Sequence, residues 1–327
     1  CRQRSGMEII MAKSTSAIAG NKVRTTPKKA LFYIKRDRML WLLILPGLVY
    51  FILFKYVPMF GVLMAFQNYR PSKGIFGSQW VGLKYFLDFF HSAYFSRLVR
   101  NTVLISVYSL LWGFPVPILF ALFLNELRDG PFKKVVQTVS YLPHFISVVV
   151  LVGMVQSFLN PYDGIVNVVI KALGGSPINF LSEPSWFRTI YVASGIWQNF
   201  GYDSIIYLSA IAAVDPQLYE AARVDGAKRL QVMVHVTLPG ILPTVIIMLI
   251  LRFGNIMSVG FEKVNLLYSP ATYETADVIS PYVYRRGVLD GQFSFSTAVD
   301  FFNSVINLIL ICTVNKISSK VSETSLW

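Results

Sequence analysis

Six long apolar segments constrain the fold more than any other feature of the sequence. They lie at about 39–65, 100–125, 134–158, 187–212, 236–260 and 297–315. A helix needs about 20 mainly apolar residues to cross the hydrocarbon core of a bilayer. Because unpaired backbone groups cannot face lipid, each crossing segment must be helical. The sequence therefore predicts an all-α integral membrane protein with six transmembrane helices embedded in the lipid bilayer.

The composition agrees with a membrane location. Hydrophobic residues make up 54% of the 327 residues and charged residues only 14%, which is too little charge to cover a soluble protein of this size. The formal net charge is +13. In a membrane chain the position of the charges matters more than their sum, so we expect no nucleic-acid partner. Cys1 and Cys312 form no CxxC pair, which argues against a disulfide framework or a zinc site.

The distribution of lysine and arginine predicts the orientation of the spans. With the N-terminus inside, the predicted inner segments hold 18 of these residues and the outer segments hold 8. Cytoplasmic loops carry the excess of positive charge, so we expect both termini in the cytoplasm. Residues 1–38 are predicted to form a basic, partly disordered N-terminal segment, residues 39–315 the transmembrane domain, and residues 316–327 a short tail. We expect no cleavable signal, since the first apolar run is too long for one.

Three predicted outer loops, 66–99, 159–187 and 261–296, are long and rich in aromatic and turn residues. One interpretation is that their tryptophan and tyrosine side chains anchor the protein at the membrane surface. The other is that they form a docking surface for an external partner. Their length favours docking, because connections longer than about 12–15 residues usually have a function.

A charged segment at about 215–227 separates two strongly apolar runs and falls on the cytoplasmic side of the predicted topology. Asp215 and Pro216 are typical of the cap and first position of a helix. Gly226 predicts the end of that helix, because glycine adopts the left-handed conformation common at helix C-termini. A second helix is expected from Ala227 into the next span. The alternative is a surface amphipathic helix that merely ends a loop.

The stretch "EAARVDGAKRLQVMVHVTLP" within and after this segment has a specific spacing. E-A-A is followed by three residues, G, and about nine residues before an apolar residue, x and L-P. This pattern resembles the EAA motif in the membrane subunits of binding-protein-dependent ABC importers, where a short coupling helix docks into a groove of a separate ATPase subunit. The ATPase-coupling residues implied by the resemblance are Glu220, Ala221, Ala222, Arg223, Asp225 and Gly226.

The resemblance extends to segments 54–86, 205–227 and 273–288, which are similar to the carbohydrate branch of the family, the LplB-like permeases for complex oligosaccharides. It implies the type I ABC importer permease fold, with both termini inside. The implied function is to form half of a translocation path for an oligosaccharide or polysaccharide fragment across the bacterial cytoplasmic membrane. The implied partners are a second homologous permease subunit, two copies of an ABC ATPase and an extracytoplasmic solute-binding protein.

Common catalytic motifs are absent from the sequence. It contains no GxxxxGK[ST] P-loop, no GxSxG and no HExxH. We therefore expect no enzymatic activity, no metal site and no cofactor in this chain. ATP and Mg²⁺ are expected to bind the partner ATPase.

A few polar and ionisable residues fall inside the predicted spans, where a charge costs roughly 2.5–3.5 kcal/mol on insertion scales. Aromatic rings and amides suit a sugar, whose ring faces are apolar and whose rim is hydroxylated. The substrate-path candidates are Trp197, Asn199, Tyr202, Asp203 and, in the third span, His144. The alternative for them is hydrogen bonding between helices. Arg252 and Asp300 are expected near the outer ends of spans, where snorkelling or a loop salt bridge explains them.

Other functions stay open from the residues alone. A secondary transporter is disfavoured because no inverted repeat or pair of broken half-helices is evident. An intramembrane enzyme is disfavoured because no nucleophile–base or metal pattern is present. An ABC importer for a peptide, an amino acid or an anion is compatible with the EAA motif, since only the loops point to a sugar.

Overall fold

The computed structural model describes residues 36 and 38–321, except for the side chain of residue 321. The predicted basic segment 1–38 lies outside the described residues apart from Arg36 and Arg38. The predicted C-terminal tail lies outside them from residue 322 onward.

The first of two units in the chain ends at Phe60 and is helical throughout its described part. Helix α1 (Arg38–Phe51) contains Pro46 and continues through a π-helical turn, Ile52–Tyr56, into the short helix α2 (Val57–Met59). Every described side chain of this unit is exposed. A helix that is apolar on all sides needs an apolar environment, so this unit fits a span that faces lipid.

The second unit begins at Gly61 with a compact loop. After the 3-10 segment Phe60–Phe66, strand β1 (Gln67–Asn68) pairs antiparallel with β2 (Gln79–Trp80). Short helices α3 (Gly74–Gly77) and α4 (Lys84–Phe90) lie between and after these strands. This two-stranded ribbon departs from the all-α prediction, but the described chain is otherwise built from helices.

The remaining helices follow in chain order. They are α5 (Phe95–Gly113), α6 (Pro115–Asn125), α7 (Pro131–Tyr141), α8 (Val148–Phe158), α9 (Ile165–Ala172), α10 (Pro184–Ala212), α11 (Pro216–Val224), α12 (Arg229–Val232), α13 (Leu238–Phe253), α14 (Phe261–Leu267), α15 (Tyr273–Ala276), α16 (Ile279–Tyr284) and α17 (Phe293–Val321). A π-helical turn, Met233–Thr237, joins α12 to α13, and another, Arg285–Leu289, follows α16.

Four helical stretches of the described chain are long and apolar enough to cross a membrane. They are Arg38–Phe66, Phe95–Asn125, Arg229–Phe253 and Phe293–Lys320. A bent helix pair, Pro131–Phe145 with Val148–Phe158, makes a fifth if it counts as one span. Helix α10 has 29 residues, a rise of about 43 Å, but it is too polar to be counted with the others. The structure thus confirms a multi-span helical protein, while the sixth span stays a prediction.

The third predicted span, 134–158, is not a single helix. Its two halves meet at an angle of 101°. A 3-10 turn, Leu142–Phe145, ends the first half, and Ile146 is extended, with a ψ of 129°. Ser147 then caps α8, because its hydroxyl accepts a hydrogen bond of 3.3 Å from the backbone N–H of Val150. The break therefore lies between a proline-containing turn and a local helix cap.

Helix α10 packs against α5, α6, α7 and α13. It approaches α7 closely at Gly201, where a Cβ atom would overlap the backbone carbonyl of Ser140. Towards its C-terminal end, buried Tyr207 and Ile211 pack in one apolar cluster with Ile241 of α13. Helix α10 therefore lies at the centre of the described helices, in contact with at least four of them.

Candidate functional site

The short helix predicted at 215–227 is present as α11, and local hydrogen bonds define both of its ends. The Asp215 carboxylate accepts a bond of 2.9 Å from the backbone N–H of Gln217, and Pro216 occupies the first turn. Gly226 has a φ of +76°, a conformation that strains residues with a side chain. Its N–H donates to the carbonyl of Arg223 at 3.1 Å, and the next N–H, of Ala227, donates to Ala222 at 2.9 Å. These paired bonds form a Schellman C-cap.

The surface of α11 is open to solvent. Glu220, Ala221, Arg223, Asp225 and Gly226 are exposed, and Ala222 is half-buried. Among the described residues, no hydrogen bond or ion pair holds the side chains of the three charged members of this set. The apolar side chain of Val224, at the end of the helix, is 87% exposed. The exposed face of α11 therefore leaves its charged side chains and Val224 free to contact another molecule.

The residues just before α11 pack against longer helices. Val214, just before it, packs against α13, where a Cβ at Gly240 would lie 2.8 Å from a methyl of that valine. Val214 and Ile211 belong to the apolar cluster that also holds Met233 of the turn into α13. The start of α11 thus lies beside both the end of α10 and the beginning of α13.

These two helices, with α5 and α6, enclose a cavity of about 440 Å³. Its lining mixes apolar side chains with hydroxyl, amide and charged groups. The polar lining residues are Ser106, Ser109, Tyr191, Gln198, Asn199, Asp203, Arg252, Asn255, Ser258 and Lys263. Pockets of several hundred Å³ with a few convergent polar groups are typical ligand sites. Within the part of the chain that the structure covers, no group of three or more His, Cys, Asp or Glu residues is placed to hold a metal ion.

An ion pair joins α10 to α13 inside this cavity. The Asp203 carboxylate and the Arg252 guanidinium are 2.7 Å apart, with 31% and 54% of their side-chain surfaces exposed. Arg252 was expected to snorkel or to pair with a loop residue, and this expectation is wrong because its partner lies within a neighbouring helix. Asp300 lies at a different, smaller cavity and has no ion-pair partner among the described residues.

The five predicted path residues fall into two sets. Asn199 and Asp203 line the cavity, whereas Trp197, Tyr202 and His144 are not part of its lining. The His144 ring stacks on the Tyr202 ring at 3.8 Å, and its Nδ1 lies 3.0 Å from Oδ1 of Asn199. Trp197 is 43% exposed. The bonds of His144 fit the alternative of hydrogen bonding between helices, while a path role for all five residues stays a prediction.

Lys263 is a cavity residue that sequence reasoning missed. It lies in the short helix α14, inside a segment that was predicted to be an outer loop. Its side chain is nevertheless buried, with only 8% of the residue exposed. Its ammonium group donates a hydrogen bond of 2.8 Å to the backbone carbonyl of Tyr191 and lies 4.6 Å from the centre of that ring. Burial lowers the pKa of Lys263 to about 7. Apolar neighbours in the sequence, Val264 and Phe261, are the one local sign of its burial.

A second buried charge cluster fixes the segment that contains α15 and α16. The Asp277 side chain is fully buried and contacts the guanidinium groups of Arg97, at 2.7 Å, and Arg285, at 2.6 Å. The amide of Asn101 donates to the backbone carbonyls of Glu274 and Asp277. These bonds connect the beginning of α5 to the long segment after α13, so the predicted outer loop 261–296 has a fixed conformation.

A family comparison matches the region that holds these features. Residues 113–284, more than half of the chain, match the family described as "Binding-protein-dependent transport system inner membrane component". This range includes α11 and most of the cavity lining. The chain is 46% identical to the polygalacturonan/rhamnogalacturonan transport system permease protein YteP of Bacillus subtilis, over 92% of this chain and 94% of that protein. It is 44% identical to protein LplB of the same organism, over 90% and 92%.

The fold is similar to that of a chain of known structure. A chain of a bacterial ABC transporter involved in the import of the acidic polysaccharide alginate superposes with a TM-score of 0.83 and 44% identity, covering 90% of this chain and 99% of that chain. The same values of TM-score and identity are found for the alginate transporter in complex with an alginate pentasaccharide-bound periplasmic protein. The similarity covers nearly the full length of each protein.

Proposed function

This chain belongs to the family of binding-protein-dependent transport system inner membrane components, and we propose that it is the permease subunit of an ATP-driven ABC importer for an oligosaccharide or polysaccharide fragment. The observation that carries the proposal is the connection of the exposed helix α11 to both α10 and α13, the helices that contribute Asp203 and Arg252 to the cavity. The named polysaccharide substrates of the similar proteins support the choice of a sugar.

The proposed topology has six spans, with α10 as the fourth and both termini in the cytoplasm of a bacterial cell. In this orientation α11 lies on the cytoplasmic side, where ATP is present, and serves as the coupling helix. The excess of lysine and arginine in the inner segments supports the orientation. The polarity of α10 also fits the proposal, because a helix surrounded by α5, α6, α7 and α13 needs little contact with lipid.

The proposed complex contains a second homologous permease subunit, two copies of an ABC ATPase and an extracytoplasmic solute-binding protein. The permease supplies no ATPase site of its own, and ATP with Mg²⁺ binds the ATPase subunits. The complex of the similar alginate transporter with its periplasmic protein supports the binding-protein partner. The uncovered charged and apolar groups of α11 support an ATPase partner.

In the proposed mechanism, closure of the ATPase subunits moves α11 as a rigid body. The tight contact of Val214 with Gly240, and the cluster around Ile211, transmit this movement to α10 and α13. Packed interfaces change between discrete arrangements rather than deforming continuously. The movement therefore changes how α10 and α13 enclose the cavity, which opens it to one side of the membrane at a time.

The test is co-purification of the ATPase with Glu220→Arg. Reversal of this exposed charge should release the ATPase while the permease stays folded and in the membrane. Asp163→Arg reverses another exposed acidic residue far from α11 in sequence; it is the matched control and should keep the ATPase bound. Retention of the ATPase by Glu220→Arg would contradict the coupling role, and a wild-type chain that transports without an ATPase would favour a secondary transporter.

A further inference from the structure

The charges in the cavity do not balance. Asp203 and Arg252 neutralise each other at 2.7 Å. Besides Arg252, the lining contains one more basic residue, Lys263. No carboxylate of the described chain lies within 4.0 Å of its ammonium group. With Lys263 protonated, the cavity holds one more positive than negative charge.

Lys263 is buried without a counter-ion. One of its three ammonium protons is used by the Tyr191 carbonyl, at 2.8 Å. The Tyr191 ring contributes a weak attraction at 4.6 Å. A buried cation is costly unless an anion pairs with it, and the lowered pKa of Lys263, about 7, shows the effect of this burial. An anionic ligand beside Lys263 would stabilise the protonated form.

The sequence of α10 leaves room for the ammonium group at the cavity wall. Gly195 lies one turn after Tyr191, and a Cβ atom at this position would be 3.1 Å from Nζ of Lys263. A side chain here would crowd the ammonium group. Its absence lets Lys263 rest against the backbone of α10 while it faces the cavity.

The distribution of polar groups suits a chain of sugar rings rather than a small anion. Tyr191, beside Lys263, and Asp203 are twelve residues apart on α10, a rise of about 18 Å along the helix. Amide and hydroxyl groups of Gln198, Asn199 and Ser106 lie among apolar side chains in the same cavity. Such a lining can contact the apolar faces of sugar rings and bond their hydroxyl groups.

We propose that Lys263 binds a carboxylate of the transported molecule, so that the cavity selects an acidic oligosaccharide containing uronic acid units over a neutral one. This inference rests on the proposed function, because it assumes that the cavity is the translocation path. Asp203 and Arg252 lie further along that path and stay paired with each other when Lys263 engages the carboxylate. Lys263 is thus the specificity-determining residue of the cavity.

The test uses the complete importer complex in nanodiscs, with the binding protein omitted so that its own selectivity plays no part. The probes are trigalacturonate and its fully methyl-esterified form, which has the same rings and no carboxylates. Wild-type complex should bind the acid at least about tenfold more tightly than the ester, since a hydrogen bond to a charged group has this order of effect. Lys263→Gln should abolish the preference, and Lys263→Arg should keep it.

Matched controls separate the possible failures. Lys84→Gln removes an exposed lysine outside the cavity and should keep the preference for the acid. Equal binding of both probes to wild type, binding of neither, or a preference that survives in Lys263→Gln would overturn the proposal. The comparison of two probes on wild type needs no variant to fold. Association of the ATPase with the same preparation tests the proposed function independently, so loss of the ATPase and loss of acid selectivity are distinct results.

Discussion

The two ends of α11 offer a quantitative test of coupling. The helix has nine residues, and helices this short are marginal without tertiary support. Asp215→Ala removes the carboxylate that accepts the bond from Gln217, at a cost of about 1 kcal/mol. Gly226→Ala forces a residue with a side chain to adopt a φ of +76°, at a similar cost of about 1 kcal/mol.

The magnitudes follow from these costs. Each 1.4 kcal/mol changes an equilibrium tenfold, so each substitution should lower the helical population, and with it the affinity for the ATPase, by up to about fivefold. The two positions lie at opposite ends of the helix and share no partner, so their effects should add. The double variant should lose up to about thirtyfold in affinity. Titration of the ATPase onto the nanodisc-reconstituted permease measures this directly.

Two conservative variants sharpen the result. Asp215→Asn keeps a good N-cap without the charge, and Gly226→Asn places at the C-cap the residue that best tolerates the left-handed conformation after glycine. Both should bind the ATPase nearly as well as wild type. Equal weakening by Asp215→Asn and Asp215→Ala would show that charge matters rather than helix formation. Unchanged affinity in the double alanine variant would refute the requirement for a preformed α11.

Other substitutions test the cavity and its supports. Asn199→Ala should reduce uptake because Asn199 lines the cavity, whereas Trp197 lies outside the lining and Trp197→Ala should leave uptake nearly unchanged. A larger loss of uptake in Trp197→Ala than in Asn199→Ala would show that the cavity is not the translocation path. Asp277→Ala removes the buried carboxylate that pairs with two partly exposed guanidinium groups and should destabilise the permease by about 1.5–3 kcal/mol, visible as a lower Tm in detergent. Gly201→Ala should lower the Tm as well, because its methyl would overlap the Ser140 carbonyl, and a wild-type Tm would contradict this close approach.

Features set by neighbouring residues were predictable from the sequence. Asp215 and Gly226 define the ends of α11 through bonds to residues within four positions, so the dipeptides Asp-Pro and Asp-Gly were sufficient to predict them. The length of the apolar spans was also predictable from the sequence, because the thickness of the bilayer sets it. The bend at Ser147 had a local signal too, a proline followed by a helix cap, but hydropathy averaged over 134–158 concealed it.

Features set by the packing of distant segments were not predictable. Asp203 and Arg252 are 49 positions apart, and their pairing depends on how α10 and α13 are rotated towards each other. Hydropathy gives the length of a helix but not its rotation. Lys263 was counted as a loop charge because its segment follows a span, yet the contact with Tyr191, 72 positions away, buries it. Burial of a charge within a loop can be seen only once the loop is folded against the helices.

ATP-driven import is tested by uptake into proteoliposomes that contain this chain, its partner permease and the ATPase. The measured quantity is labelled oligosaccharide retained inside, with ATP sealed in the lumen where the ATPase faces inward, the loaded binding protein outside, and ionophores present to remove ion gradients. We expect uptake that requires both the ATP and the binding protein and that Glu220→Arg abolishes. Uptake without ATP that stops when the ion gradients are removed would contradict it.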